Sequence, residues 1–374
     1  MNERRKTAAG RGLWRGVAWA SSAAASVCVA SWSVGRTLDE AAGATGPSEA
    51  VERIGAFEPF AASTEEAFAA ETTGDAASDA ERLLRESIVR LEGLRSLSAD
   101  LNFEARLFGE RYFGRGRYEE TAEAPASATG GAARRSPLER ARFRLRASIA
   151  RGSAKEARGG EENVFEVVCD CDRQALWSYS SVEGGKSLTR IDVAELSNAL
   201  ASLEGDELAA VGVEGPCAAN GLPGLGGLTG TLRRLATVYR FEPRIEAAPA
   251  FKGADVVKIT GRARSRFWSE SRRRLGVDEI PPFLAENLPG NVEIYFGADW
   301  PFPYKIVYFS LSKNEERTRK DVFVVEYSSV VRNDASIRPE NFSYNQPQIT
   351  FERVTSRYVD ELISEAELWG SCEK

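Results

Sequence analysis

Apolar and polar residues alternate through much of the chain from residue 97 to residue 329, the mark of half-buried strands. Leu97, Ala99, Leu101, Phe103, Ala105 and Leu107 define the first such strand. Gly109-Glu110 turns the chain, and Arg111–Glu120 pairs back, with Gly114 and Gly116 marking a bulge or a strong twist. In Ala141–Ala150, Phe143, Leu145, Ala147 and Ile149 face one way and Arg142, Arg144 and Arg146 the other. That arginine stripe fits a solvated outer face better than an anion site.

Asn163–Asp192 reads as a tight meander of three strands: Asn163–Cys169, Ala175–Ser180 and Ser187–Asp192. Its turns are Asp170–Gln174 and Glu183-Gly184-Gly185-Lys186, and alternation sets Trp177 and Tyr179 on one face. Further strands are expected at Arg244–Glu246, Val256–Gly261, Val292–Phe296, Tyr304–Leu311, Val322–Ser329 and Ile349–Val354.

The period changes to that of a helix in a few places. Ser78-Asp79 starts one, and Leu83, Leu84, Ile88, Leu91 and Leu94 carry its apolar face over Ala80–Leu97. Val193–Leu203 and Leu225–Tyr239 are further helices, and Tyr358–Trp369 is an amphipathic one at the tail. The insertion at 262–287 is basic, with Arg266, Arg272, Arg273 and Arg274 near Trp268. A solvated insertion helix explains it better than contact with lipid headgroups. The tally is about ten antiparallel strands without regular strand–helix alternation, which argues against a doubly wound fold.

The first 45 residues change the picture. Arg4, Arg5, Lys6, Arg11 and Arg15 precede an uncharged stretch at 16–34. This is a signal peptide or an N-terminal membrane anchor, and it implies export to the periplasm or cell envelope. Residues 46–77 form a flexible linker, 78–355 the folded domain, and 356–374 the C-terminal helical region.

Composition excludes several functions. The 374 residues include no histidine, which removes Ser-His-Asp and Cys-His catalysis and histidine metal ligands. A net charge of −6 argues against a nucleic-acid partner. No GxSxG motif occurs, and GLPGLGGLTG lacks the strand–helix context of a dinucleotide site. Cys169-Asp170-Cys171 has no second cysteine pair to complete a metal site. A disulfide to Cys217 or Cys372 and a pair of buried thiols remain equal alternatives. No metal or cofactor is expected.

Motifs then narrow the fold. Asp172-Arg173-Gln174-Ala175-Leu176-Trp177-Ser178-Tyr179 resembles the "D-G-K-T-L-W-x-Y" hairpin of the LolA-like superfamily of periplasmic lipoprotein carriers. Asn333 followed by Phe342-Ser343-Tyr344-Asn345-Gln346-Pro347 resembles its "N … F-x-F-x-P-P" element. The leading helix and the two alternating strands stand in the same order, over roughly residues 80–355.

The resemblance implies an α+β fold: a large antiparallel sheet curled into an unclosed half-barrel with covering helices. It also implies an apolar cavity that binds a lipid, an acyl chain or an acylated lipoprotein, without catalysis. The expected cavity wall is Leu101, Phe103, Phe143, Leu145, Trp177, Tyr179, Ile294, Phe296, Phe323 and Val325. The inner-membrane surface is a second expected partner, through residues 16–34. A membrane-anchored interaction or sensor module is the alternative role, and a hydrolase is disfavoured.

Overall fold

The computed structural model describes residues 78–107, 109–121, 142–152, 163–170, 175–182, 185–201, 227–275, 277–311, 318–344, 350–356 and 359. The expected leader and linker, the disulfide partners Cys171, Cys217 and Cys372, and the tail helix beyond Val359 lie outside them.

The helices are α1 (Asp79–Glu92), α2 (Val193–Ala201), α3 (Gly227–Val238), α4 (Ser265–Leu275) and the short α5 (Pro282–Ala285). Thirteen strands of the described residues make one sheet: β1 (Ser96–Leu107), β2 (Glu110–Thr121), β3 (Arg142–Arg151), β4 (Val164–Asp170), β5 (Ala175–Val182), β6 (Gly185–Asp192), β7 (Tyr239–Phe241), β8 (Glu246–Phe251), β9 (Ala254–Ala263), β10 (Asn291–Gly297), β11 (Pro303–Leu311), β12 (Arg319–Arg332) and β13 (Glu352–Arg353). Their order is β13-β6-β5-β4-β3-β2-β1-β12-β11-β10-β9-β7, with β8 also on β9. The two ends of this path do not pair, so the sheet is an unclosed half-barrel. Among the described residues only the β13–β6 pairing is parallel.

Ten of the twelve expected strands keep their places within a few residues. Several expectations change. The first helix stops at Glu92, because Gly93 caps it through its N–H to Val89 and Leu91 carbonyls, and Ser96 already pairs with Thr121. Its start is as expected, with Ser78 Oγ accepting from Glu81 N–H at 3.3 Å. The strand placed at Arg244–Glu246 runs instead over Glu246–Phe251, turning at Lys252 and Gly253. Tyr239–Phe241, expected as the end of a helix, is a strand on β9.

The glycines of β2 make no bulge: β2 pairs in unbroken register with β1 and β3. They allow close approach instead. A Cβ on Gly114 would fall 1.9 Å from the Phe103 ring, and one on Gly116 would fall 1.8 Å from the Arg146 carbonyl oxygen. At Gly116 the neighbour is backbone and leaves no room for a side chain; at Gly114 it is the Phe103 ring.

The register builds the core as rows across the strands. One row reads Ile259, Ile294, Ile306, Val325, Phe103, Gly114, Ile149 from β9 to β3. Another reads Leu97, Glu120, Phe143, Cys169, Leu176, Ile191 from β1 to β6. Both lie on the inner face and, Glu120 and Gly114 apart, belong to one buried cluster. Helix residues Ala80, Leu84, Ile88 and Leu91 of α1, Val193 and Leu196 of α2, and Leu228, Leu232 and Leu235 of α3 join that cluster. The helices thus cover the inner face, as apolar stripes must be buried.

Candidate functional site

Eight of the ten residues expected as the cavity wall come together. Leu101, Phe103, Phe143, Leu145, Ile294, Phe296, Phe323 and Val325 are all buried in the inner-face cluster. They arrive from β1, β3, β10 and β12, and Phe103 packs on Phe323 with ring centroids 5.9 Å apart.

Trp177 and Tyr179 do not join them. Alternation correctly set them on one face of β5, but Leu176, the residue before Trp177, turns inward with Ile191 and Cys169. The pair lies on the outer face, in a separate cluster with Val168, Leu188, Ile337, Phe342 and Tyr344. Period two says which residues share a face and not which face meets the core.

That outer cluster is made by the segment after β12, which folds back over the sheet. Asn333, with φ +52°, starts the turn; its N–H donates to the Ser96 carbonyl and its Oδ1 accepts from Arg95 N–H. Ser98 Oγ donates to Asp334 Oδ2 at 2.7 Å. Arg144 Nε donates to Glu166 at 2.6 Å, and its Nη1 donates to the Asn341 carbonyl at 2.9 Å. Of the expected arginine stripe, Arg146 is exposed, Arg144 is engaged in this tie, and Arg142 is buried.

Two polar groups lie on the inner side: Glu120, which alternation along β2 places there, and Ser87, which helix spacing places on the buried face of α1. Glu120 follows Gly114, Gly116 and Tyr118 at every second position along β2, on the same inner face, and its carboxyl sits at the start of α3. Tyr118 Oη donates to Glu120 Oε2 at 2.5 Å and accepts from Leu228 N–H at 2.7 Å. Leu228 N–H also reaches Glu120 Oε2 at 3.3 Å. Burial pushes the Glu120 carboxyl up to about 7; the Tyr118 and Leu228 hydrogen bonds oppose this, and the Glu92 charge adds to it. Burial likewise raises the Tyr118 hydroxyl, helped by the Glu120 charge. Ser87, on the buried face of α1, has 0 % exposure, and its hydroxyl makes no hydrogen bond.

The outer face is charged where it is not covered by the returning segment. Glu293 of β10 is 5 % exposed, yet it accepts from Arg319 at 2.9 and 3.0 Å, Lys258 at 3.1 Å and Tyr295 Oη at 3.0 Å. Burial pushes its carboxyl up, but Arg319 and Lys258 outweigh that and hold it below the ordinary range.

Among the described residues no group of three or more acidic or cysteine side chains is placed to hold a metal ion. Cys169 is fully buried in the inner cluster. No described helix is long and apolar enough to cross a membrane.

No family model matches the sequence, and no curated protein matches it. Similar solved structures exist at low identity. A chain of the MucA/MucB complex of Pseudomonas aeruginosa is 11% identical, with a TM-score of 0.33 over 72% of this chain and 62% of that one, so less than two thirds of its length is spanned. A putative outer membrane lipoprotein-sorting protein domain from Vibrio parahaemolyticus is 9% identical, with a TM-score of 0.27 over 71% of this chain and 97% of that one. LprF from Mycobacterium bovis is 10% identical, with a TM-score of 0.30 over 70% and 97%. The architecture itself is an unclosed antiparallel half-barrel with helices over its apolar inner face.

Proposed function

We propose that this chain is a non-catalytic protein of the cell envelope that binds a lipid, an acyl chain or an acylated lipoprotein between its inner sheet face and the covering helices. One observation carries the reading. The apolar inner face is covered by helices rather than by a second sheet, and α1 and α3 are tied to each other at the surface by the Glu92–Arg233 ion pair. Such a cover separates from the sheet without breaking any strand pairing. An acyl chain would then replace helix side chains against Leu101, Phe103, Phe143, Leu145, Ile294, Phe296, Phe323 and Val325. About ten buried CH₂ groups supply on the order of 8 kcal/mol of gross burial, from which the cost of uncovering the helix faces is subtracted. The unpartnered Ser87 hydroxyl suits this site too, since an apolar pocket with few polar groups orients a ligand through them. Trp177 and Tyr179 take no part in this wall.

The test is direct. The purified full-length chain is extracted with organic solvent, the extract is analysed by mass spectrometry, and a fluorescent fatty-acid probe is titrated. Copurifying lipid and saturable probe binding are expected. Absence of both sinks the reading. Sequencing the mature N-terminus separates a released carrier from a protein anchored through residues 16–34.

A further inference from the structure

A half-buried carboxyl group interrupts the apolar row Leu97, Glu120, Phe143, Cys169 on the inner face, and helix α3 begins directly over it. The fit is close. Gly227, the first residue of α3, has φ +59°, and a Cβ there would fall 2.8 Å from the Glu120 carboxyl carbon, Glu120 Oε1 and Tyr118 Oη. Only glycine allows the helix to start this near the acid.

The surroundings of Glu120 hold no cation in contact with it among the described residues. From its own strand it meets Tyr118; from α3, the Leu228 N–H. From β12 it faces Tyr327, whose hydroxyl is raised by burial and by the Glu120 charge. From α1 it faces Glu92, and that carboxylate is paired with Arg233 of α3. Its cross-strand partners on β1 and β3 are Leu97 and Phe143. A charge here is therefore stabilised by two hydrogen bonds and the positive end of α3, and opposed by burial and a second carboxylate.

We propose that Glu120 is a proton-operated latch on helix α3: the neutral acid lets the helix seat on the inner face, and the carboxylate favours its release. This rests on the reading that α3 is a removable cover, and it adds the regulation of that cover. The sign follows from linkage. A closed state that raises an acid from its ordinary value of 4.5 to about 7 binds the proton more tightly than an open state that exposes it. Closure is thus favoured as pH falls through 7, the gain is complete below 4.5, and the cover is loosest above 7. The full effect on the open–closed ratio is about two orders of magnitude.

Hydrogen–deuterium exchange of the full-length chain tests this. Exchange is followed from pH 5.5 to 8.5, corrected for the intrinsic pH dependence of amide exchange. The amides of 227–238 are read against those of β10–β12. The expected result is that α3 loses protection, at least tenfold, as pH rises through about 7, while the strands do not. In Glu120→Gln, which keeps an acceptor oxygen without the charge, α3 stays protected at every pH. Protection of α3 that follows the strands at all pH values overturns the latch, as does a step that survives in Glu120→Gln. Tyr118→Phe gives a second reading should the Gln variant fold poorly. Removing a hydroxyl that stabilises the carboxylate moves the step to higher pH, and an unmoved step overturns the arrangement. No ligand enters the measurement. Failure to bind lipid leaves this result standing, and loss of the pH step leaves lipid binding standing.

Discussion

The indole of Trp177 stacks on the ring of Tyr344 with centroids 5.4 Å apart and 19° between planes. The two residues lie far apart in the chain, one in the β5 hairpin and one at the end of the returning segment. Phe351 meets the same indole edge-on at 5.3 Å, and the Arg190 guanidinium lies 5.3 Å from its centroid. The hairpin and the segment after β12 thus hold each other on the outer face.

Tyr344→Ala is expected to destabilise the fold by about 2–4 kcal/mol, through lost burial plus the aromatic pair. Since Tyr344 is on the outer face, binding of a fatty-acid probe to the folded fraction is expected to be unchanged. Urea denaturation and probe titration on one preparation check both. A variant that keeps its stability but loses the probe would place the ligand on the outer face instead.

Gly116 lets β3 lie close against β2. Any Cβ there must displace the Arg146 carbonyl, which is backbone and has no rotamer to escape into. Gly116→Ala is expected to cost at least about 2 kcal/mol, as overpacking of a rigid neighbour does. Gly109→Ala serves as the comparison. It has φ +87° but open space around it, so only backbone strain acts, at about 1 kcal/mol. Equal losses in the two variants, measured by denaturant midpoints, would contradict the close-approach argument.

These two regions also show what alternation reveals and what it hides. The strands β1, β3, β10, β11 and β12 were legible because each carries a clean apolar face of its own. The face that Trp177 and Tyr179 occupy was not, because it depends on Ile337, Phe342 and Tyr344 arriving from the far end of the chain. Tyr239–Phe241 was hidden for another reason: no turn residue separates Val238 from Tyr239, so helix and strand share one apolar run. The β13–β6 contact spans two residue pairs and leaves no periodic trace. Glu120 was readable as an acid in a strand, but its meaning required the N-terminus of α3, which follows more than a hundred residues later.

Ser87 is predicted to be improvable. Its hydroxyl is buried against apolar side chains with no partner, so folding strips it of water without return. Ser87→Ala removes the polar atom, leaves the helix face otherwise intact and raises helix propensity. A gain of about 1 kcal/mol in the ligand-free protein is expected, read from the denaturant midpoint. Should a lipid headgroup use the hydroxyl, the same variant binds its ligand more weakly although it is more stable. A loss of stability would mean that the hydroxyl is satisfied in solution.

Glu293 provides the acid limit of the fold. Its carboxyl is held below the ordinary range in the folded state, chiefly against burial by Arg319 and Lys258. A depressed acid contributes stability that is present above its unfolded value and is lost as pH falls through the folded one. The window therefore opens near the ordinary carboxyl value of 4.5 and extends below it. Stability of the native chain is expected to drop across that window, and in Glu293→Gln the drop is shallower because one coupled proton is gone. At neutral pH Glu293→Ala is expected to cost about 1–3 kcal/mol, since Arg319 and Lys258 lose their shared acceptor but keep Asp321 and Glu246. The two acids oppose each other: raising pH through 7 loosens α3 by ionising Glu120, whereas lowering it below 4.5 weakens β9–β12 by neutralising Glu293. Denaturation midpoints of Glu120→Gln, Glu293→Gln and the double variant across pH 3 to 9 separate them. The Glu120 change is expected to alter only the neutral limb and the Glu293 change only the acid limb, with additive effects because the residues sit on opposite faces of distant strands.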